Sequence, residues 1–166
     1  MNTIAAPPLP PLPSRAVVLM IGLPGSGKTT YLQMHGCPRV GTDDLRELLY
    51  GDADDQGSPA IVFGMLRRVL TQRLKAAVPI TYVDATNLTL RARRPLVRIA
   101  AAAGYPVVGV WMDPGVNACL ERNRGRERKV AEAVIHRMAA NLRAPEPSEG
   151  IEHLYRVPGD RLEWLY

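Results

Sequence analysis

The sequence predicts an α/β fold in which a central, mostly parallel sheet of four to five strands is flanked by helices. Three observations lead to this prediction. Three long runs of apolar and β-branched residues have the length of strands buried on both faces, and segments with helical hydrophobic spacing separate them. The chain has 166 residues, of which 46% are hydrophobic and 22% charged, as expected of one globular domain. Strands that alternate with helices form parallel sheets with crossover connections.

The predicted elements follow one another in a regular order. Strands are expected at 16–21, 39–41, 80–84, 106–112 and 154–157. Helices are expected at 27–34, 43–49, 59–74 and 90–103, after residue 114, and around 134–142. Ser58 should cap the helix that begins at Pro59, and Asp113-Pro114 should cap the helix after the third long strand. Pro95 either starts the helix 90–103 or kinks it.

The first 14 residues contain five prolines and predict a disordered Pro-rich arm at 1–14, before a single domain at 15–166. Docking of a proline-binding module on this arm is the alternative. No apolar run approaches the roughly 20 residues of a bilayer span, and 1–14 has no signal-peptide pattern, so we expect a cytoplasmic protein with no membrane partner. Cys37 and Cys119 form no metal-binding or disulfide pattern and are expected to be small buried hydrophobes.

Charge is unevenly distributed along a chain of net charge +5 with 21 basic residues, 18 of them Arg. The segment 43–55 is acidic, whereas 122–129 is basic. Such segregation suits a polyanionic partner, although long basic side chains also form ordinary solvated surfaces.

The residues from Gly22 to Thr29 read G-x-x-x-x-G-K-T between a predicted strand and helix, the pattern and context of a phosphate-binding P-loop. The glycines let backbone N–H groups surround a phosphate, Lys28 adds a charge toward the β and γ oxygens of ATP, and the Thr29 hydroxyl can ligate Mg²⁺. A plain glycine turn is the alternative. The expected ATP phosphate-binding residues are Gly22, Gly25, Ser26, Gly27, Lys28, Thr29 and Thr30. This predicts a P-loop NTPase or kinase fold.

Two acidic positions follow predicted strands at the edge where open α/β sheets bind ligands. One carboxylate of the 42–46 segment could accept a proton from an attacking hydroxyl, and Arg46 could pair with an anionic group of the acceptor. Thr42 or Asp43 capping the helix, with Arg46 on its solvated face, is an equal alternative. Asp84 could help to hold Mg²⁺, or it could be a cap.

An arginine cluster follows a predicted helix and comprises Arg122, Arg124 and Arg126. It contains Gly125, which gives a loop freedom to close. On an Arg-rich lid, such side chains can neutralise charge on a transferring phosphoryl group. Without the P-loop, we would interpret these arginines as the solvated end of a helix.

Taken in order, several segments together resemble the polynucleotide 5′-hydroxyl kinase family, with a closer likeness to the kinase module of bacterial end-healing enzymes than to the phage polynucleotide kinase. These segments are I-G-L-P-G-S-G-K-T-T (21–30), T-D-D-L-R (42–46), V-D-A-T-N-L (83–88), A-R-R-P-L (92–96), E-R-N-R-G-R (121–126), V-I-H-R-M (134–138) and E-G-I (149–151).

The resemblance implies a role for each matching position. Asp43 would be the general base that accepts the 5′-hydroxyl proton, and Arg46 would contact a phosphate of the DNA or RNA acceptor. Arg122 and Arg126 would be lid arginines that hold ATP phosphates. The chain shows no phosphatase or ligase module, so it would act alone or with separate phosphatase or ligase proteins. Two other functions remain open: a small-molecule or nucleotide-sugar kinase of the zeta-toxin type, and a nucleotide-dependent interaction module that recruits a partner through its arm.

Overall fold

A computed structural model, which describes residues 7–53 and 58–166, confirms the α/β fold. Its six-stranded sheet has the order β2-β3-β1-β4-β5-β6, in which the first five strands are parallel and β6 is antiparallel to β5. The strands are β1 (Ala16–Ile21), β2 (Arg39–Gly41), β3 (Ile80–Asp84), β4 (Val107–Met112), β5 (His153–Val157) and β6 (Glu163–Trp164). The acidic residues Asp54 and Asp55 lie outside the described residues.

Six α-helices and one short 3₁₀ helix, Pro147–Glu149, connect the strands in the described ranges. The α-helices are α1 (Lys28–Met34), α2 (Thr42–Tyr50), α3 (Pro59–Lys75), α4 (Leu90–Ala102), α5 (Val116–Arg124) and α6 (Glu132–Asn141). None of the helices in the described residues combines the length and hydropathy needed to cross a membrane.

The sheet separates two apolar cores, because alternate side chains of a strand point to opposite faces. On one face, Leu19 and Ile21 of β1 pack with residues of α2, α3 and α4. On the other face, Val18 and Met20 pack with α1 and with β4 and β5. Each fully buried aliphatic side chain contributes about 1.5–3 kcal/mol relative to exposure. This packing fixes the ends of the strands on which the site is built.

The central position of β1 determines where a ligand can bind. It pairs with β3 on one side and β4 on the other, so that Met20 lies opposite both Asp84 and Val110. The chain therefore leaves β1 first toward β2 and β3, then crosses to β4 and β5. In open parallel sheets, a crevice forms at the carboxyl ends of the strands where the chain reverses its direction of winding.

Two predicted helix caps differ from the structure. Helix α5 begins at Val116 after Gly115, and Asp113 does not cap it, because the carboxylate accepts hydrogen bonds of 2.6 and 2.9 Å from Arg156. Ser58 occupies the N-cap position of α3, but its side chain makes no capping bond. Pro95 does not start α4; it lies inside that helix, which Thr89 caps through a 3.2 Å bond from the Ala92 N–H.

Residues 7–14, the described part of the Pro-rich arm, contact helix α1 and the core beneath it. The Pro8 carbonyl accepts a 2.7 Å bond from the Tyr31 hydroxyl, and His35 Nε2 lies 2.8 Å from the Pro7 carbonyl oxygen. Leu9 and Leu12 pack against the core on the α1 face. Residues 1–6 lie outside the described residues, and for them disorder stays a prediction.

Candidate active site

The phosphate loop connects β1 to α1 in a conformation that only glycine permits at two points. Gly25 and Gly27 have φ values of 80° and 98°, in the left-handed region. A Cβ at Gly25 would collide with the Cys119 carbonyl oxygen of α5, and one at Gly22 would lie 2.5 Å from the Met112 carbonyl oxygen of β4. The loop is therefore held tightly between the end of β4 and helix α5.

Lys28 is buried at the N-terminus of α1, and its ammonium bonds back onto the loop. Its Nζ donates to the carbonyls of Gly22 and Leu23, both at 2.9 Å, and to the Ser26 hydroxyl at 3.3 Å. Burial lowers the pKa of Lys28 to about 8, although the nearby charge of Asp84 acts in the opposite direction. A phosphate beside this amine would offset the cost of its burial. Thr30, in the same turn of α1, is exposed.

Thr29 and Asp84 form the candidate metal position. The Thr29 hydroxyl donates a 2.7 Å bond to Asp84 Oδ2, and the Arg39 Nε lies 3.3 Å from the same oxygen. Burial raises the pKa of the Asp84 carboxyl, an effect that Thr29 and the neighbouring positive charges reduce. The hydrogen bond from Thr29 and the nearby positive charges therefore do not fully offset the cost of burying the Asp84 charge.

The donor chemistry at this position fits Mg²⁺, which prefers oxygen ligands and keeps several waters. Within the described ranges, no group of three His, Cys, Asp or Glu side chains could hold a metal. A magnesium ion here would accordingly draw on Thr29 and Asp84, with phosphate and water oxygens as its other ligands.

Asp43 and Arg46 lie one turn apart on α2, and their side chains form an ion pair. Arg46 Nη1 lies 3.0 Å from Asp43 Oδ1. Arg46 is only 9% exposed, and its Nε has no hydrogen-bond partner among the described residues. Because Gly41 occupies the N-cap position without any side-chain capping bond, the structure gives no support to the capping alternative for Thr42 and Asp43.

The arginine-rich segment that follows α5 reaches both the loop and Asp43. Arg122 Nη1 donates a 3.3 Å bond to the Ser26 carbonyl, and the charge of exposed Arg126 helps to lower the pKa of Lys28, whose main cause is burial. Arg128 Nη2 lies 3.7 Å from Asp43 Oδ1. The segment thus bridges the phosphate loop and α2.

Sequence reasoning missed several residues that hold the site together. Asn123 is buried and exchanges two hydrogen bonds with Val130, of 2.8 and 2.9 Å, which close the arginine-rich loop. Arg39 lies between Asp84 and Asp44, at 2.7 Å from Asp44 Oδ1. No local pattern singles out these residues, since each is identified by a partner on a different element.

Comparisons with known proteins identify the family of this chain. A family model described as an AAA domain, AAA_33, matches residues 17–145. The chain belongs to the AAA_33 family. A comparison with curated proteins gave no match.

Several solved structures share the fold of this AAA_33 domain. A chain in the structure of the Pnkp1/Rnl/Hen1 RNA repair complex is 22% identical, with a TM-score of 0.66, over 77% of this chain and 44% of that chain. A gluconokinase from Sinorhizobium meliloti 1021 is 16% identical, with a TM-score of 0.59, over 88% of this chain and 85% of its own. Kti12 of Chaetomium thermophilum in complex with ADP-AlF3 is 19% identical, with a TM-score of 0.59, over 87% and 89%.

The AAA_33 match and the kinase structures that share the fold confirm the predicted fold class, and the chain in the Pnkp1/Rnl/Hen1 complex is consistent with the resemblance to polynucleotide kinases. The AAA_33 domain spans less than half of the matched chain of the RNA repair complex. At these identities, the similarity concerns the fold.

Proposed function

We propose that this chain is an ATP-dependent kinase that transfers the γ-phosphoryl group of ATP to 5′-hydroxyl ends of DNA or RNA. The observation that carries the proposal is that the arginine-rich segment after α5 contacts both the phosphate loop and Asp43. Arg122 donates to the Ser26 carbonyl at 3.3 Å, and Arg128 Nη2 lies 3.7 Å from Asp43 Oδ1, so Asp43 and the loop border one site. A carboxylate placed beside a triphosphate-binding loop is what an acceptor hydroxyl requires.

The loop geometry supports ATP as the donor. The N–H groups at the start of α1, the Lys28 ammonium and the Arg122 guanidinium beside Ser26 provide positive potential for a triphosphate. The similar Kti12 structure contains ADP-AlF3, and the fold is shared. Mg²⁺ bound by Thr29 and Asp84 would neutralise charge on the phosphate oxygens.

Asp43 would act as the proton acceptor. The 5′-oxygen forms a bond to the γ-phosphorus while the bond from that phosphorus to the bridging oxygen breaks, and ADP leaves. The hydroxyl proton passes to Asp43, whose ion pairs with Arg46 and Arg128 both fall on Oδ1. Oδ2 accepts no hydrogen bond from any described residue and can receive the hydroxyl. Lys28, Arg122 and Arg126 would hold the ATP phosphates and their negative charge.

Arg46 would bind the acceptor. Its guanidinium is held by Asp43 through Nη1, and its positive charge beside the proposed base would attract a phosphate of the strand. Loss of Arg46 should then raise KM for the acceptor more than it lowers kcat, whereas loss of Asp43 or Lys28 should lower kcat by orders of magnitude.

A small-molecule kinase is the second candidate, because the gluconokinase structure matches most of both chains. One transfer assay with γ-labelled ATP separates the two, with 5′-hydroxyl DNA, 5′-hydroxyl RNA, a 5′-phosphorylated strand and sugars including gluconate as acceptors. The proposal expects label on the 5′-hydroxyl strands alone. Label on a sugar and on no strand would refute it.

Salt dependence provides an independent check. Binding of an oligonucleotide should weaken steeply as salt rises, because phosphate contacts release counterions. Binding of a neutral sugar should barely change, so a flat response would favour the second candidate.

A further inference from the structure

A basic cleft lies between α3 and α4, outside the residues assigned to phosphate transfer. Its volume is about 760 Å³, and Leu90 and Pro95 contribute apolar surface. Five arginines line it: Arg67, Arg91, Arg94, Arg98 and Arg143. We call this surface the arginine cleft.

The arginines of the cleft have no acidic partners. All five are exposed, and none forms an ion pair with a carboxylate of the described residues. Arg91, Arg94 and Arg98 have spacings of three and four, which place them on one face of α4. Like charges at these spacings repel one another. By contrast, Arg93 on the buried face is fully paired with Glu149 at 2.6 Å. Thus the cleft is a concentrated positive charge with no carboxylate counterion among the residues that the structure describes.

The fold places the arginine cleft on the same face of the sheet as Asp43. Helix α3, which carries Arg67, contacts α2, and both helices pack with α4 on that face. The cleft also extends to the edge of the sheet that carries Asp84, because Thr89, in the loop after β3, lines it. The Arg143 N–H bonds to the Leu88 carbonyl at 2.9 Å, which anchors Arg143 beside the same loop.

We propose that the arginine cleft binds the phosphodiester backbone of the acceptor strand, downstream of the 5′ end that Asp43 receives. This inference rests on the proposed function and adds the path of the strand. Arginine is suited to the role because its planar guanidinium binds phosphate oxygens in pairs. The exposed side chain of Leu90 and the ring of Pro95 offer apolar surface to sugars and bases. Contacts of this kind carry affinity without sequence preference.

The test compares cleft variants with matched surface variants. Arg67→Gln is paired with Arg68→Gln, since the two residues are adjacent and exposed on α3 but only Arg67 lines the cleft. Arg94→Gln/Arg98→Gln is paired with Arg68→Gln/Arg137→Gln. Binding of a fluorescent 5′-phosphorylated strand of about 16 nucleotides is measured by anisotropy without ATP, over a range of salt. Because this strand cannot accept a phosphoryl group at its end, its binding reports on the cleft even if the proposed transfer fails.

We expect the double cleft variant to bind about tenfold more weakly and to lower the slope of log K against log salt by about 1.4, since single strands lose about 0.7 per phosphate contact. The control pair should behave as the unmodified protein. Equal losses in cleft and control variants would refute the inference, as would binding of vesicles containing phosphatidylserine in place of the strand.

Transfer kinetics separate the two proposals. With 5′-hydroxyl acceptors, the double cleft variant should raise KM for the long strand far more than KM for a dinucleotide. If transfer occurs but this ratio is unchanged, the proposed function stands and the strand path is wrong. If no strand accepts phosphate, the function is wrong, and the salt-dependent binding alone decides about the cleft.

Discussion

At the scale of single residues, two ionisable groups beside the phosphate loop, Lys28 and Asp84, are buried, and burial disfavours the charge of each. Burial lowers the pKa of Lys28 to about 8 and raises that of Asp84. An anionic phosphate beside Lys28 and a cation beside Asp84 would restore both charges. The burial of both groups therefore carries an electrostatic cost that the proposed ligands would relieve, and ligand binding should exchange protons.

Proton uptake by Lys28 gives a pH-dependent prediction. At pH 8 about half of the Lys28 amines carry a proton in the free protein, and a bound triphosphate raises the pKa, so binding should take up about half a proton. Affinity should fall as pH rises above 8. Calorimetry in buffers of different ionisation enthalpy measures the uptake. Lys28→Arg keeps the charge and cannot titrate, so its uptake should be smaller by that half proton; equal uptake would assign the proton elsewhere.

Asp43 and Asp44 form a matched pair for testing the base. They are adjacent in the first turn of α2, with Asp43 beside Arg46 and Asp44 beside Arg39. Asp43→Asn should lower kcat by about 10²–10⁴-fold because the neutral amide cannot take the hydroxyl proton, while the Kd for ATP changes little. Asp44→Asn should keep kcat within severalfold. Single-turnover transfer measures both, and a small effect at Asp43 would exclude it as the base.

At the scale of secondary-structure elements, the sequence predicted those strands whose bounds are set by their own residues. The β1, β2 and β3 bounds were correct because apolar runs and turn residues mark strands directly. The two-residue strand β6 was missed, since Trp164 is placed only by its pairing with Tyr155 of β5. The predicted Asp113 cap was wrong for a similar reason, because Arg156 of β5 binds that carboxylate instead.

The pair between α4 and the 3₁₀ helix illustrates the same dependence on tertiary structure. Arg93 is wholly buried; it binds both carboxylate oxygens of Glu149 at 2.6 Å and donates to the carbonyls of Asn87 and Arg143. It thereby connects the loop after β3, which flanks the phosphate loop, to the segment after α6. Sequence spacing cannot show that residues 56 positions apart meet.

Removal of Arg93 should destabilise the whole domain. Arg93→Met leaves the buried Glu149 charge unpaired, and we expect a loss of about 3–5 kcal/mol in the free energy of unfolding. Arg94→Met, at the exposed neighbouring position, should change it by less than about 0.5 kcal/mol. Arg93→Met/Glu149→Leu should recover part of the loss because no unpaired charge remains. Urea denaturation measures all three, and equal effects at 93 and 94 would show that the buried pair adds nothing.

At the scale of the whole molecule, the candidate site could be predicted in outline but not in its contacts. The P-loop motif and the strand ends located Lys28, Thr29 and Asp84 at one edge, because parallel strands end together. The approach of Arg128 to Asp43 could not be foreseen, since it depends on how the loop after α5 folds across the sheet edge. The same limitation hid the arginine cleft, whose residues come from three separate segments.

The arm tests how far the domain depends on residues that precede its first strand. Leu9 and Leu12 are partly buried against the core on the α1 face, while Pro11 is exposed. Leu9→Ala/Leu12→Ala should lower the free energy of unfolding by about 1–3 kcal/mol, less than two full core truncations because both side chains are only partly buried. Pro11→Ala should have little effect. Denaturant unfolding measures this change. An unchanged m-value would show that the variant and the unmodified protein expose the same amount of surface on unfolding, so that only the stability differs. If the double variant matched Pro11→Ala, the packing would add nothing, and an arm free to recruit a partner would regain support.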